Sequence, residues 1–204
     1  MNKIIKNTGI LMAITLVAGA LLGLVYEVTK APIAQAQEDA KQEAYRTVLA
    51  DADTFVNEDS FKENKAQKIL DKAGYDSDDI SEVVAGQDAS GETVGYVITV
   101  TSHEGYGGDI QISVGIEKDG TVKGIEMLSI SETAGLGMKA TEADFKDQFK
   151  DKKVEKFSYT KSGEEGDDKI DALSGATITT NAVTNAVDSA LVYFQEELGG
   201  SINE

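Results

Sequence analysis

The residues best suited to chemistry lie in one short run, Asp171-Ala-Leu-Ser-Gly-Ala-Thr177, followed at once by Ile178-Thr-Thr-Asn-Ala-Val. Downstream, Val183, Val187, Ala190, Leu191, Phe194 and Leu198 recur at helical spacing, so an amphipathic helix is predicted there. Thr179 or Thr180 is the expected N-cap and Gly199-Gly200 the expected end. Thr177 then sits just ahead of a helix start. Unpaired backbone N–H groups and the helix dipole favour an anion there, phosphate above all. Gly175 and Ala176 leave room for a bulky group close to the backbone. The same composition also describes an ordinary capped helix start, so the turn alone is compatible with either role.

Two glycine-rich stretches could serve such a site. One is Glu104-Gly-Tyr-Gly-Gly108 and the other Glu132-Thr-Ala-Gly-Leu-Gly137. Glycines there meet the needs of tight loops. They would also let backbone approach a flat ligand, with Tyr106 and Leu136 as apolar contacts.

Composition narrows the chemistry. The chain has 204 residues, no cysteine and one histidine, His103. Thiolate metal sites, iron–sulfur clusters, covalent c-type haem and multi-histidine metal sites are therefore excluded. Any redox chemistry must be carried by an organic cofactor. The net charge of -17 repels phosphate backbones, so no nucleic-acid partner is expected. His103, without a partner histidine or cysteine nearby, reads as a polar loop residue. No Gly-x-Gly-x-x-Gly follows a strand into a helix, so no nicotinamide site is expected.

Thr8–Tyr26 is free of charge, and Lys3 and Lys6 precede it. At helical rise it spans roughly 28 Å, enough to cross a bilayer core. Ala34-Gln35-Ala36 resembles a signal-peptidase site, but it lies past Glu27, Lys30 and Pro32, and the apolar run is long for a signal peptide. A retained single-pass anchor is the favoured reading, with a cytoplasmic N-terminus and the acidic remainder outside the cytoplasm. Gly9, Gly19, Ala20 and Gly23 would permit close helix packing.

Pro32 is expected to close the membrane helix, and 34–49 to form a helical stalk. Residues 61–73 predict another helix ended by Gly74, with Phe55, Ile69 and Leu70 in the core. From Glu82 the pattern changes to period two, through Val94–Val100, Ile110–Ile116 and Val122–Ile130, with an Asp119-Gly120 turn. This reads as an antiparallel meander with one face buried and one solvated. Thr141 is the expected N-cap of a short helix to Phe149. Val154, Phe157 and Tyr159 suggest a short strand, and Lys161–Lys169 a solvated loop. The fold class is α+β: an N-terminal transmembrane helix, then an exported domain with a mainly antiparallel β-sheet packed with helices. The expected divisions are 1–30 anchor, 31–80 helical stalk and lead-in, and 81–204 ligand-binding domain.

Asp171, Ser174, Gly175, Ala176 and Thr177 together resemble the flavinylation motif of the FMN-binding domain family. That family includes RnfG of the Rnf electron-transport complex and NqrC of the sodium-pumping NADH:quinone oxidoreductase. The resemblance extends to the single N-terminal span, to Gly105-Tyr106-x-Gly108 and to Glu132-Thr133-x-Gly135-Leu136-Gly137. Ala134 stands where the family usually has proline. The resemblance implies FMN joined through its phosphate to the Thr177 hydroxyl. It makes Asp171 and Ser174–Ala176 recognition elements for a flavin transferase. It also places Tyr106, Gly107, Glu132, Thr133, Gly135, Leu136 and Gly137 near the ring, with Thr179 and Thr180 as further phosphate contacts. The function implied is electron relay within a membrane complex that couples ferredoxin-to-NAD electron flow to ion pumping. The chain would then be a redox subunit, not catalytic alone. The alternatives are the NqrC role, another exported flavoprotein, and a non-redox binding module.

Overall fold

The computed structural model describes residues 2–199. The chain divides into two units, Met1–Lys41 and Gln42–Glu204.

The described residues of the first unit are all helical. They belong to α1, which runs from Asn2 to Val48 with Pro32 inside it. An 18-residue stretch of α1 reaches a mean hydropathy of 2.3 with none of it buried, so α1 is long and apolar enough to cross a membrane. The expected break at Pro32 is therefore overturned. A proline removes one backbone hydrogen bond and crowds the preceding turn. Its flanks, Thr29-Lys-Ala and Ile33-Ala-Gln-Ala36, hold enough helix formers to carry the helix past it.

The second unit is built on a five-stranded antiparallel sheet in sequence order. Its strands are β1 (Thr54–Asn57), β2 (Asp78–Gln87), β3 (Thr93–Ser102), β4 (Ile110–Glu117) and β5 (Val122–Ser129). The β4–β5 hairpin turns at Asp119-Gly120: Gly120 takes φ 87° and the Asp119 carboxylate accepts the Thr121 N–H at 2.9 Å. Between β1 and β2 lies α2 (Glu63–Ala73), which ends at left-handed Gly74 as expected. The helix begins two residues later than predicted. Leu70 is fully buried, while Ile69 and Phe55 are only partly so.

After β5 come a 3-10 turn (Gly137–Thr141), the short α3 (Ala143–Lys146) and a further 3-10 turn (Asp147–Phe149). The N-cap of α3 is Glu142, not Thr141, whose hydroxyl instead donates back to the Met138 carbonyl at 2.8 Å. Then β6 (Ser158–Thr160) pairs in parallel with β7 (Lys169–Asp171). The last described helix is α4 (Thr177–Glu197).

One face of the sheet packs on α4 and α2. Ile98, Val100, Ile112, Val114 and Ile116 meet Ala182, Val183, Ala186, Val187, Ala190, Leu191 and Phe194 in a single core. Burying each large side chain of that row contributes about 1.5–3 kcal/mol of transfer free energy. Because α2 lies on one flank and β6 on another, α4 is buried on more than the one stripe its sequence suggests.

The opposite face is not solvated as expected. Tyr45, Val48 and Leu49, at the end of α1, cluster there with Val84 and Val97. Three strand glycines make room for this wedge. A Cβ on Gly115 would lie 2.0 Å from the Val48 carbonyl oxygen, one on Gly86 would strike a Leu49 methyl at 2.5 Å, and one on Gly95 would crowd a Leu49 methyl at 3.1 Å. The Tyr45 hydroxyl donates to Glu82 at 3.0 Å. Residues 42–80, expected to be stalk and lead-in, thus fold into the same unit as the sheet.

Two carboxyls lie deepest in this unit, Asp188 and Asp78. Asp188 on α4 accepts the Phe157 N–H at 2.7 Å and the Tyr75 hydroxyl at 3.4 Å. Asp78 accepts the Ser189 hydroxyl at 2.7 Å, while its other oxygen has no partner among the described residues. Each is about 1 % exposed, and burial raises both carboxyls above the usual range, Asp188 to about 7.

Candidate functional site

The first turn of α4 opens onto a cavity of about 580 Å³. Its walls come from three segments: Gly175–Thr179 at the helix start, Glu132, Thr133, Leu136 and Gly137 beyond β5, and Tyr106 from the loop between β3 and β4.

The helix start is built by its own sequence. Gly175 takes φ 76°, a left-handed conformation that turns the chain into α4. Ala176 is the N-cap residue and its side chain makes no capping bond. Without a capping side chain, the first-turn N–H groups are left for an outside acceptor. The N-cap is thus neither Thr179 nor Thr180: the helix begins three or four residues earlier than expected, and Thr177 is its first residue and half-buried. Thr180, the alternative cap and phosphate contact, is fully buried instead. Its hydroxyl accepts the Leu173 N–H and donates to the Ala176 carbonyl, both at 3.0 Å. It therefore holds the turn from within. Thr179 is also buried, yet it reaches the cavity.

The second wall is closed by Glu132. This buried carboxylate accepts the N–H groups of Tyr106 at 2.7 Å and Gly107 at 3.3 Å. It thereby ties two loops together. Gly137 fills the space behind it: a Cβ there would lie 2.6 Å from the Thr179 hydroxyl and 2.8 Å from Glu132. Gly135 takes φ 75°. The Thr133 carbonyl accepts the N–H groups of Leu136 and Met138 at 3.1 and 3.2 Å, so this loop is pinned by its own backbone with Ala134 in it.

Three large apolar side chains stand exposed around the opening: Tyr106 (71 %), Leu136 (42 %) and Ile178 (52 %). Sequence reasoning does not single out Ile178. The available signal is its position, an apolar residue between two threonines on the first turn of a helix. Of the residues singled out from sequence, Tyr106, Glu132, Thr133, Leu136, Gly137, Gly175, Ala176, Thr177 and Thr179 line the cavity. Asp171, Ser174, Gly107, Gly135 and Thr180 do not. Asp171 ends β7, where its N–H donates to the Gln148 side chain at 2.6 Å, and its own side chain is exposed with that of Ser174.

The cavity fits a flat heteroaromatic phosphate ester. Its walls are largely apolar, Gly175 leaves open the space beside Leu136, and the helix start offers N–H groups to a phosphate.

His103 is more than a polar loop residue. It bridges Asp109 at 2.9 Å and Asp79 at 2.8 Å. These two carboxylates raise its pKa by hydrogen bonding and favour the imidazolium.

Residues 105–192 match the FMN-binding domain family, and residues 1–48 match the RnfG N-terminal region. The G component of the ion-translocating oxidoreductase complex of Methanosarcina acetivorans is 34% identical over 97% of this chain and 98% of its own length. The chain belongs to the RnfG family. The corresponding component of the Na(+)-translocating ferredoxin:NAD(+) oxidoreductase complex of Acetobacterium woodii is 32% identical over 95% of this chain and 93% of its own. Its counterpart in the proton-translocating complex of Clostridium ljungdahlii is 31% identical over 98% and 96%.

Among solved structures, NqrC of Shewanella oneidensis superposes with a TM-score of 0.52 at 20% identity, covering 78% of this chain and 95% of that one. The C component of the Na(+)-translocating NADH-quinone reductase of Parabacteroides distasonis gives 0.52 at 20%, covering 82% and 96%. These likenesses establish the fold. As an RnfG family member, the chain carries an FMN-binding domain, and its apolar α1 makes it a single-pass membrane protein.

Proposed function

We propose that this RnfG family protein relays electrons through FMN esterified to Thr177, within a membrane complex that couples ferredoxin:NAD oxidoreduction to ion translocation. The observation that carries the attachment is the start of α4. Thr177 presents its hydroxyl at a helix N-terminus with no side-chain cap, at the mouth of a largely apolar cavity. A phosphodiester keeps a negative charge, which the first-turn N–H groups and the helix dipole stabilise. When bound, the isoalloxazine ring supplies the one-electron chemistry.

The chain's own residues position and shield. Gly175 lets the ring approach backbone, Leu136 and Ile178 cover it, Gly137 makes room for Glu132, and Glu132 keeps the Tyr106 loop closed. Asp171 and Ser174 face solvent. That suits recognition by a flavin transferase better than contact with the cofactor. NqrC shares only the fold, whereas the RnfG relatives match this chain nearly end to end.

Co-expression with a flavin transferase should give a band that fluoresces on a denaturing gel. Thr177→Ala should abolish that fluorescence completely while leaving the protein level unchanged. A fluorescent Thr177→Ala band would move the attachment elsewhere, and a dark wild-type band beside an active transferase would end the covalent reading.

The proposed topology places the acidic domain outside the cytoplasm, because Lys3 and Lys6 precede the apolar segment. Protease added to intact spheroplasts is expected to remove the domain. Full protection of the domain until lysis would reverse the orientation.

A further inference from the structure

The cavity has walls from segments far apart in sequence, and something must fix the gap between them. Tyr106 cannot do so by packing, since its ring is largely exposed. Its loop is rich in glycine and has few side chains to anchor it. His103 clamps the neck of the loop through Asp109 and Asp79, but both partners lie on the loop's own side of the site. Glu132 holds the loop to the segment beyond β5. The tie from the loop to α4 is a side-chain hydrogen bond: the Asn185 amide donates to the Glu104 carboxylate at 2.6 Å.

Asn185 lies about two turns along α4 from Thr177. Asparagine is a mediocre helix former in mid-helix, so its presence there calls for a side-chain role. One turn further on, Ser189 donates to Asp78 in the same manner. This face of α4 thus feeds two carboxylates, one on the loop and one at the start of β2. The Glu104 charge also acts on Asp78, helping to raise it.

We infer that Glu104 and Asn185 are positioning residues whose hydrogen bond sets the aperture between the Tyr106 loop and the helix that carries Thr177. The bond is charge-assisted and half-buried, the class whose loss is felt most. Without it the loop keeps its ties to Glu132 and its neck, but the two walls can part. A ring held between them would then be more open to water.

The inference rests on the proposed flavin site for one of its two readouts only. The first readout needs no flavin. In the full-length chain without cofactor, amide hydrogen exchange of a peptide spanning residues 103–109 should quicken roughly tenfold in Asn185→Ala, the change expected for losing one hydrogen bond to a charged group. Glu104→Gln keeps a neutral acceptor for Asn185 and should exchange at a rate between wild type and Asn185→Ala.

The second readout is iodide quenching of the flavin in the loaded chain. It should rise in Asn185→Ala and return toward wild type in Glu104→Gln. Unchanged exchange in Asn185→Ala overturns the assignment. So does faster exchange in Glu104→Gln with none in Asn185→Ala, because the carboxylate would then act by charge on Asp78 and not through α4. If no flavin attaches, the functional reading fails while the exchange experiment still decides the tie.

Discussion

Gly115→Ala is expected to lower the melting temperature of the full-length chain by about 6–12 °C, the shift that ~3 kcal/mol produces in a domain of this size. The added methyl would lie 2.0 Å from the Val48 carbonyl oxygen and 2.6 Å from its carbonyl carbon. A backbone group cannot rotate aside as a flexible side chain can. Relief requires the end of α1 to lift from the sheet, which would uncover Tyr45, Val48 and Leu49 together with Val84 and Val97. The cofactor cavity lies elsewhere, so flavin attachment at low temperature should be near normal. Thermal unfolding followed by circular dichroism in detergent tests this. An unchanged melting temperature would mean that Val48 does not sit on β4.

Asp188→Asn is expected to stabilise the chain at pH 8 by about 2 kcal/mol and by less than half as much at pH 5. The folded carboxyl holds its proton up to about 7, against an ordinary value of 3.8. Folding therefore favours the protonated form between these values. The favourable contribution is complete below 3.8 and is lost as pH rises through about 7. The full difference corresponds to at most ~4 kcal/mol. Burial drives the shift, and partners that suit the charged form reduce it: the Phe157 N–H, the nearby Lys156, whose ammonium lies over the Tyr75 ring at 5.3 Å, and the Tyr75 hydroxyl. Asp78 acts in the other direction by repulsion. Asparagine keeps an acceptor for Phe157 without the charge. Melting temperatures of the two proteins across pH 5–8 give the comparison. A variant less stable than wild type at pH 8 would show that the ionised carboxylate stabilises the fold through Lys156.

Much of this architecture is legible in the residues. Period two from Val94 to Ile130 specifies the meander, and the spacing from Val183 to Phe194 specifies α4. Small residues from Ser174 to Thr177 mark the turn that leads into that helix. What cannot be read there depends on contacts distant in sequence. Tyr45, Val48 and Leu49 occupy too short a stretch to distinguish a buried helix end from a stalk. Gly86, Gly95 and Gly115 read as weak points in strands until the helix is seen lying on them. Thr180 looks like its neighbours in a run of hydroxyls, and only the folded turn shows its hydroxyl already engaged. Ile178 and the Glu104–Asn185 bond escape sequence reasoning because neither belongs to a local pattern.

The wedge on the back of the sheet also orders events during synthesis. Tyr45, Val48 and Leu49 are made early, but the strands they cover are completed only when β4 has been made. Until then the segment that follows the apolar part of α1 holds unburied side chains with nowhere to pack. The domain cannot close in pieces from its N-terminal side, and its folding waits on a pairing between distant parts of the chain. The interval before that pairing is when the nascent chain is most exposed to proteases and to wrong partners.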